Sequence, residues 1–101
     1  MEIKIVKQEK EILVTLEGRL DTLASPEVSA ELEPVIQDAS GTIILDCRKM
    51  SYISSSGLRI FLTIRKAAAA AGGKVIVRGL LPEVRSVFMM TGFLNLFQIE
   101  A

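Results

Sequence analysis

The chain contains no histidine among its 101 residues. Histidine is the usual general base of serine and cysteine hydrolases, so its absence argues against that chemistry. Neither a G-x-S-x-G nucleophile turn nor a G-x-G-x-x-G dinucleotide motif occurs. Gly72-Gly73-Lys74 is not a phosphate-binding loop, because Ala68 and Val75 stand where that motif needs glycine and a hydroxyl residue. We therefore expect no enzyme activity.

The chain also has a single cysteine and no net charge. The single Cys47 cannot form an internal disulfide, and we predict that it is a small buried hydrophobe in a reducing compartment. Lysine plus arginine equals aspartate plus glutamate, twelve of each, whereas nucleic-acid binders usually carry a basic excess. We expect no direct nucleic-acid partner, no metal site and no cofactor, since the chain has no cluster of His or Cys ligands.

A long hydrophobic run is missing as well. The most apolar region, residues 58–77, is interrupted by basic residues, namely Arg59, Arg65, Lys66 and Lys74. Such a segment does not span a membrane. The first seven residues alternate like a strand and lack the apolar stretch of a signal peptide. We expect a cytoplasmic protein without a membrane partner.

The patterns that are present alternate between strand and helix. Two alternating apolar runs, beginning at Ile3 and Ile12, predict an N-terminal hairpin. Further strands are predicted over residues 42–46, 75–77 and 96–99, with helix-forming stretches between them. We predict one domain over residues 1–101, an α/β sandwich with a mostly parallel sheet of four to five strands and about three helices.

The helices carry their own start and stop signals. Ser25-Pro26 is predicted to cap and open the first helix, and Pro34 to kink or break it. A long helix is predicted from Leu58 to Ala71, where Gly72-Gly73 is its stop signal, with one apolar face formed by Phe61, Ile64, Ala68 and Ala71. Pro82 opens a third helix. The apolar cluster that follows, Met89, Met90, Phe93, Leu94 and Phe97, is predicted to pack in the core, with a docking surface as the alternative.

Three consecutive serines, Ser54-Ser55-Ser56, precede Gly57 between the third strand and the long helix. A serine hydroxyl there can accept hydrogen bonds from the free N–H groups of the first helical turn. The same N–H groups and the helix dipole also favour a phosphate group. The residues alone leave two interpretations open, a plain helix cap or a phosphorylation switch.

Asp21 is a second candidate because it follows the predicted second strand. Loops after the carboxyl ends of parallel strands gather at one edge of a sheet. If the second and third strands are neighbours, Asp21 lies close to the serines. Its carboxylate either stabilises a turn or contacts a partner.

Four segments together resemble the STAS domain of bacterial anti-sigma factor antagonists over essentially the whole chain. They are Gly18-Arg19-Leu20-Asp21, Ile44-Leu45-Asp46, Tyr52-Ile53-Ser54-Ser55-Ser56-Gly57-Leu58 and Met90-Thr91-Gly92-Phe93. The resemblance implies a binding module that frees a sigma factor by binding its anti-sigma factor, which is also a serine kinase. It further implies that this kinase phosphorylates the module, that the complex then separates, and that a serine phosphatase resets it.

The resemblance implies that Ser55 is the phosphorylated residue, and it aligns Ser54 with a position where the family usually has aspartate. Ser54 and Ser56 are the other candidate acceptors. The resemblance implies a partner-binding surface made of Asp21, Thr22, Ser54, Ser56, Gly57 and Arg59. The alternative is a STAS scaffold or accessory module that binds a protein or small ligand without a phosphorylation cycle.

Overall fold

Five strands lie side by side in the order in which they occur along the chain. A computed structural model describes all residues, 1–101. The strands are β1 (Glu2–Lys7), β2 (Glu11–Leu20), β3 (Thr42–Ile53), β4 (Lys74–Arg78) and β5 (Gln98–Glu100). β1 pairs antiparallel with β2, and every later neighbour is parallel. The predicted hairpin and mostly parallel sheet are confirmed.

Four α-helices connect the parallel strands. They are α1 (Ser25–Glu31), α2 (Glu33–Gln37), α3 (Ser55–Ala71) and α4 (Pro82–Met90), followed by a short 3-10 helix, Phe93–Asn95. The count exceeds the predicted three because the first helix breaks at Leu32, one residue before α2. Pro34 lies in the first turn of α2, where its missing N–H needs no partner, so the predicted break is confirmed.

The helices pack on one face of the sheet. Crossovers between sequential parallel strands are right-handed, so a strand order of 2-3-4-5 puts each connecting helix on the same side. The core of 23 residues uses alternate strand positions, including Val14, Leu45 and Val77, together with Phe61 and Phe88 from the helices. Cys47 is fully buried, as predicted. Burial and the neighbouring Asp46 charge raise the pKa of its thiol to about 12.

At the amino ends of the parallel strands, called here the amino edge, main-chain hydrogen bonds join neighbouring chain segments. Thr42 N–H donates to the Lys10 carbonyl at 3.0 Å, and Lys74 N–H donates to the Gly41 carbonyl at 3.1 Å. A Cβ atom on Gly73 would collide with the carbonyl oxygens of Ala39 and Gly41. A Cβ on Gly41 would likewise lie 2.5 Å from the Lys10 carbonyl oxygen, so the three chain segments can meet here only because both positions are glycine. Beside them lies a polar cleft of about 520 Å³.

Several predicted boundaries are wrong. β3 continues beyond its predicted end at residue 46 to Ile53, and α3 begins at Ser55 instead of Leu58. Ala71, predicted on the apolar face, is the last residue of α3 and is exposed. The last strand starts at Gln98, after the 3-10 turn.

The apolar cluster near the C-terminus divides between core and surface. Phe97 is buried, and Phe93 and Leu94 pack against the core. Met89 and Met90 are 63% and 80% exposed, because α4 turns these two positions away from Phe61. The predicted core location is wrong for the two methionines.

Candidate functional site

The ends of β2 and β3 meet the start of α3. Leu20 and Ile53 are aligned in the parallel pair, and Ser54 N–H donates to the Leu20 carbonyl at 2.9 Å. A Cβ on Gly57 would lie 2.8 Å from Leu20 Cγ and 2.9 Å from Ile53 Cγ1. Glycine is thus required for the first turn of α3 to pack against both strands. Gly57 itself is buried.

The three serines occupy three different environments. Ser54 is the N-cap of α3, is buried, and its Oγ accepts the Gly57 N–H at 3.2 Å. Ser56 is half-buried, whereas Ser55, the first helical residue, is exposed. Both Ser55 and Ser56 belong to the helix and not to the loop before it, which corrects the sequence prediction.

A chain of hydroxyl groups links the start of α3 to the turn after β2. Ser54 Oγ lies 3.0 Å from Ser56 Oγ, and Ser56 Oγ lies 3.0 Å from Ser25 Oγ. Ser25 Oγ donates to the Asp21 carbonyl at 2.8 Å. Because a hydroxyl has one hydrogen, Ser25 has none left for Ser56, so Ser56 is the donor of that pair. Ser54 must then donate to Ser56. The hydroxyl hydrogens of Ser54, Ser56 and Ser25 are therefore all used in hydrogen bonds within this chain.

The Asp21 turn lies beside the serines, as the neighbouring strands predicted. Asp21 Oδ1 accepts the Ala24 N–H at 2.9 Å, so its carboxylate, and not Ser25, satisfies the start of α1. The predicted Ser25 cap is wrong: Ala24 is the N-cap, and the Ser25 hydroxyl is directed to Asp21 and Ser56 instead. Thr22 in this turn is exposed.

Sequence reasoning missed two features of this edge. Ser25 belongs to the hydroxyl chain although 31 residues separate it from Ser56, and no local pattern indicates such a contact. Arg19 lies over the ring of Tyr52 with 4.3 Å to the ring centroid, which follows from the pairing of these two residues across β2 and β3.

Asp46 is the one buried charged residue, and it has a dedicated partner. Arg48 donates to it through Nε at 3.0 Å and through a terminal nitrogen at 2.6 Å, and Arg48 N–H adds a bond of 3.1 Å. These hydrogen bonds hold the pKa of the Asp46 carboxyl below its ordinary value, against the opposing effect of burial. A paired carboxylate of this kind is suited to structure rather than to proton transfer.

The site has no arrangement of groups typical of catalysis. No three residues among His, Cys, Asp and Glu come together as metal ligands. The hydroxyls of Ser54 and Ser56 have no base beside them, only other hydroxyls. No helix combines the length and apolar character that crossing a membrane requires. The hydroxyl of Ser55 is exposed at the start of the 17-residue helix α3.

Comparison with known families agrees with the segments noted above. The family model of the STAS domain matches residues 2–101. The chain belongs to the STAS domain family. Its relatives include BtrV of Bordetella bronchiseptica, which is 29% identical over 99 residues, covering 98% of this chain and 85% of BtrV. They also include the anti-sigma-B factor antagonist of Staphylococcus aureus, 27% identical over 100 residues, covering 99% of this chain and 93% of that protein.

Solved structures share this STAS fold. The anti-sigma factor antagonist SpoIIAA in its unphosphorylated form has a TM-score of 0.74 and 22% identity, covering 99% of this chain and 87% of that chain. The Bacillus cell fate determinant SpoIIAA in its phosphorylated form has a TM-score of 0.75 and 24% identity, covering 99% and 91%. These similarities establish the five-stranded α/β architecture.

Proposed function

We propose that this STAS domain is an anti-sigma factor antagonist, a binding module without catalysis of its own. It binds an anti-sigma factor that is also a serine kinase, and phosphorylation of Ser55 ends the complex. A serine phosphatase returns the domain to its binding form. Support comes from the Staphylococcus aureus relative, named an anti-sigma-B factor antagonist, and from the two forms of SpoIIAA, unphosphorylated and phosphorylated.

The exposure of Ser55 carries the proposal. A kinase needs the attacking hydroxyl in line with the transferred phosphoryl group and able to pass its proton to a base. The hydrogens of Ser54 and Ser56 are committed to the hydroxyl chain, and Ser54 is also 8% exposed. Ser55 is exposed and takes no part in that chain. Among the three serines it is the best acceptor.

Phosphorylation there changes the surface rather than the fold. The group adds about −1.5 to −2 charges and three acceptor oxygens. At the amino end of α3 this charge meets the positive end of the helix dipole, so the fold loses little stability. A partner must instead desolvate or repel a dianion. A penalty of about 3 kcal/mol lowers affinity by about 100-fold.

The proposed contact surface surrounds Ser55. It includes Asp21 and Thr22 in the turn and Arg59 on the next turn of α3, with Ser54 and Ser56 holding these elements together. Gly57 contributes by permitting the close approach of α3 to the strands. We further propose that residues 1–101 form a single STAS domain and that this contact surface belongs to it.

Affinity capture from the host tests the function. Tagged wild-type protein should recover an anti-sigma factor that phosphorylates it, and Ser55→Asp should lower the affinity for that partner by about 10-fold, less than the phosphate does because aspartate adds one charge. Ser55→Ala should keep binding and resist phosphorylation. Ser86→Asp is the matched control, since it adds the same charge at an exposed serine on a different helix, α4. Equal recovery by Ser55→Asp and wild type would contradict the proposal.

A further inference from the structure

Arg59 is an exposed cation without an ionic partner. The three ion pairs of the protein use Lys7, Arg48 and Arg78. The one hydrogen bond at Arg59 outside the helix backbone is to its carbonyl, which accepts the Thr63 hydroxyl at 2.9 Å. Its guanidinium group is therefore available to a ligand or a neighbouring anion.

Arg59 follows Ser55 by one helical turn. Both residues belong to α3, where side chains four positions apart are surface neighbours with Cβ atoms about 5–6 Å apart. An anion placed four residues before a cation is the favourable order for a helix. No acidic residue lies in the first turn of α3, so no carboxylate there competes for the guanidinium.

We propose that Arg59 binds the phosphate group of phosphorylated Ser55 within the same helix. The biological role of this pair rests on the function proposed above. In the unmodified protein the guanidinium is free to contact the partner. In the phosphorylated protein it is held by the phosphate, so one modification both adds an anion and withdraws a cation from the binding surface.

The other titratable groups around the start of α3 have partners or lie on other elements. They are Arg19 near the end of β2, Asp21 in the turn after β2, Tyr52 opposite Arg19 on β3, and Glu27 and Glu31 on α1, which packs against α3. Arg19 is stacked on Tyr52, and the Asp21 carboxylate accepts the Ala24 N–H. Arg59 is the cation that the helix itself holds at the required spacing.

The second pKa of the phosphate measures this pairing. Phosphoserine is encoded at position 55, so no kinase is needed, and the phosphate is titrated by phosphorus NMR. Arg59→Gln should raise that pKa by about 0.3–0.7, since loss of a nearby cation disfavours the dianion. Arg59→Lys should raise it less, because the charge remains and the forked donors are lost. Lys66→Gln removes the same charge from an exposed position farther along α3 and should shift it by less than about 0.1.

An unchanged phosphate pKa in Arg59→Gln would overturn the proposal. Equal shifts in Arg59→Gln and Lys66→Gln would also overturn it, because they would show a general charge effect without contact. This test can fail independently of the proposed function. Absence of phosphate on Ser55 in cells would contradict the phosphorylation switch. The encoded phosphoserine reports the pairing with Arg59 whether or not the cell phosphorylates Ser55. Both substitutions are at exposed helical positions, and circular dichroism checks that the variants are folded.

Discussion

The two edges of the parallel sheet satisfy their polar groups in different ways. At the amino edge, main-chain N–H groups of Thr42 and Lys74 bond directly to carbonyls of Lys10 and Gly41. At the carboxyl edge there is also one main-chain bond, from Ser54 N–H to the Leu20 carbonyl, and in addition the Ser54, Ser56 and Ser25 hydroxyls connect α3 to the Asp21 turn. The glycines of the amino edge, Gly41 and Gly73, are packed against backbone carbonyls, whereas the hydroxyl chain of the carboxyl edge leaves the Ser55 side chain exposed.

This difference separates stability from regulation. A collision at the amino edge must move backbone, so substitutions there act on the whole fold. A substitution in the hydroxyl chain removes one or two hydrogen bonds and leaves the strands in place. A charged group can therefore be added at the carboxyl edge at small cost to folding, which is what a reversible surface modification requires.

The largest effect is expected at Gly73. Gly73→Ala places a methyl group against the carbonyls of Ala39 and Gly41, which are backbone atoms and cannot rotate away. We expect a loss of about 2–3 kcal/mol in the free energy of unfolding. Denaturant unfolding measures it.

Gly72→Ala is the matched control for that prediction. Gly72 is the left-handed C-cap of α3, with φ of 80° and open space around the position of a Cβ. Alanine there suffers backbone strain of about 1 kcal/mol without a collision. If Gly72→Ala cost as much as Gly73→Ala, the closeness of the three segments would not be what makes the amino edge sensitive.

An intermediate effect on stability is expected at Asp46, which lies within β3 between the amino and carboxyl edges of the sheet. Its folded-state pKa is below the ordinary value of 3.8, so its contribution to stability is present above that pH and is lost as the pH falls through the folded pKa. Asp46→Asn should cost about 1–2 kcal/mol at pH 7 and flatten the acid limb of the stability profile. Asp38→Asn, at a 63% exposed carboxylate, should change the profile less. Parallel acid limbs in wild type and Asp46→Asn would rule out this role for the Arg48 pair.

The smallest effect is expected at Ser25. Ser25→Ala removes the acceptor of Ser56 and the donor to the Asp21 carbonyl, for a loss of about 1 kcal/mol. Hydrogen exchange should quicken at the Ala24 and Ser25 amides, since the Asp21 turn is less restrained. Ser29→Ala, at an exposed serine on α1, is the control. Unchanged exchange at Ala24 and Ser25 would mean that the hydroxyl chain does not hold the turn.

Local patterns predicted much of the fold. Alternation marked β1 and β2, Pro34 marked the helix break, and Gly72 marked the end of α3. These signals work because each depends on residues close in sequence, through side-chain periodicity or a missing N–H. The family resemblance likewise rested on short segments and is confirmed over residues 2–101.

Features set by tertiary contact escaped prediction. The extension of β3 to Ile53 depends on pairing with the end of β2, and the exposure of Met89 and Met90 depends on how α4 is rotated over the core. At the site, sequence indicated the serines and Asp21 but not that Ser25 completes the hydroxyl chain. Ser55 was distinguished from its two neighbours by the family resemblance and not by the residues themselves, because the difference among the three serines lies in burial and hydrogen bonding.

Peptide mass spectrometry of the protein from its native cells tests the central claim most directly. The preparation should include wild type, Ser55→Ala and Ser56→Ala, sampled through growth and stress. The account predicts a single phosphate on Ser55, absent from Ser55→Ala and retained in Ser56→Ala. Phosphate on Ser54 or Ser56 of the wild type, or none under any condition, would contradict the claim that Ser55 is the switch.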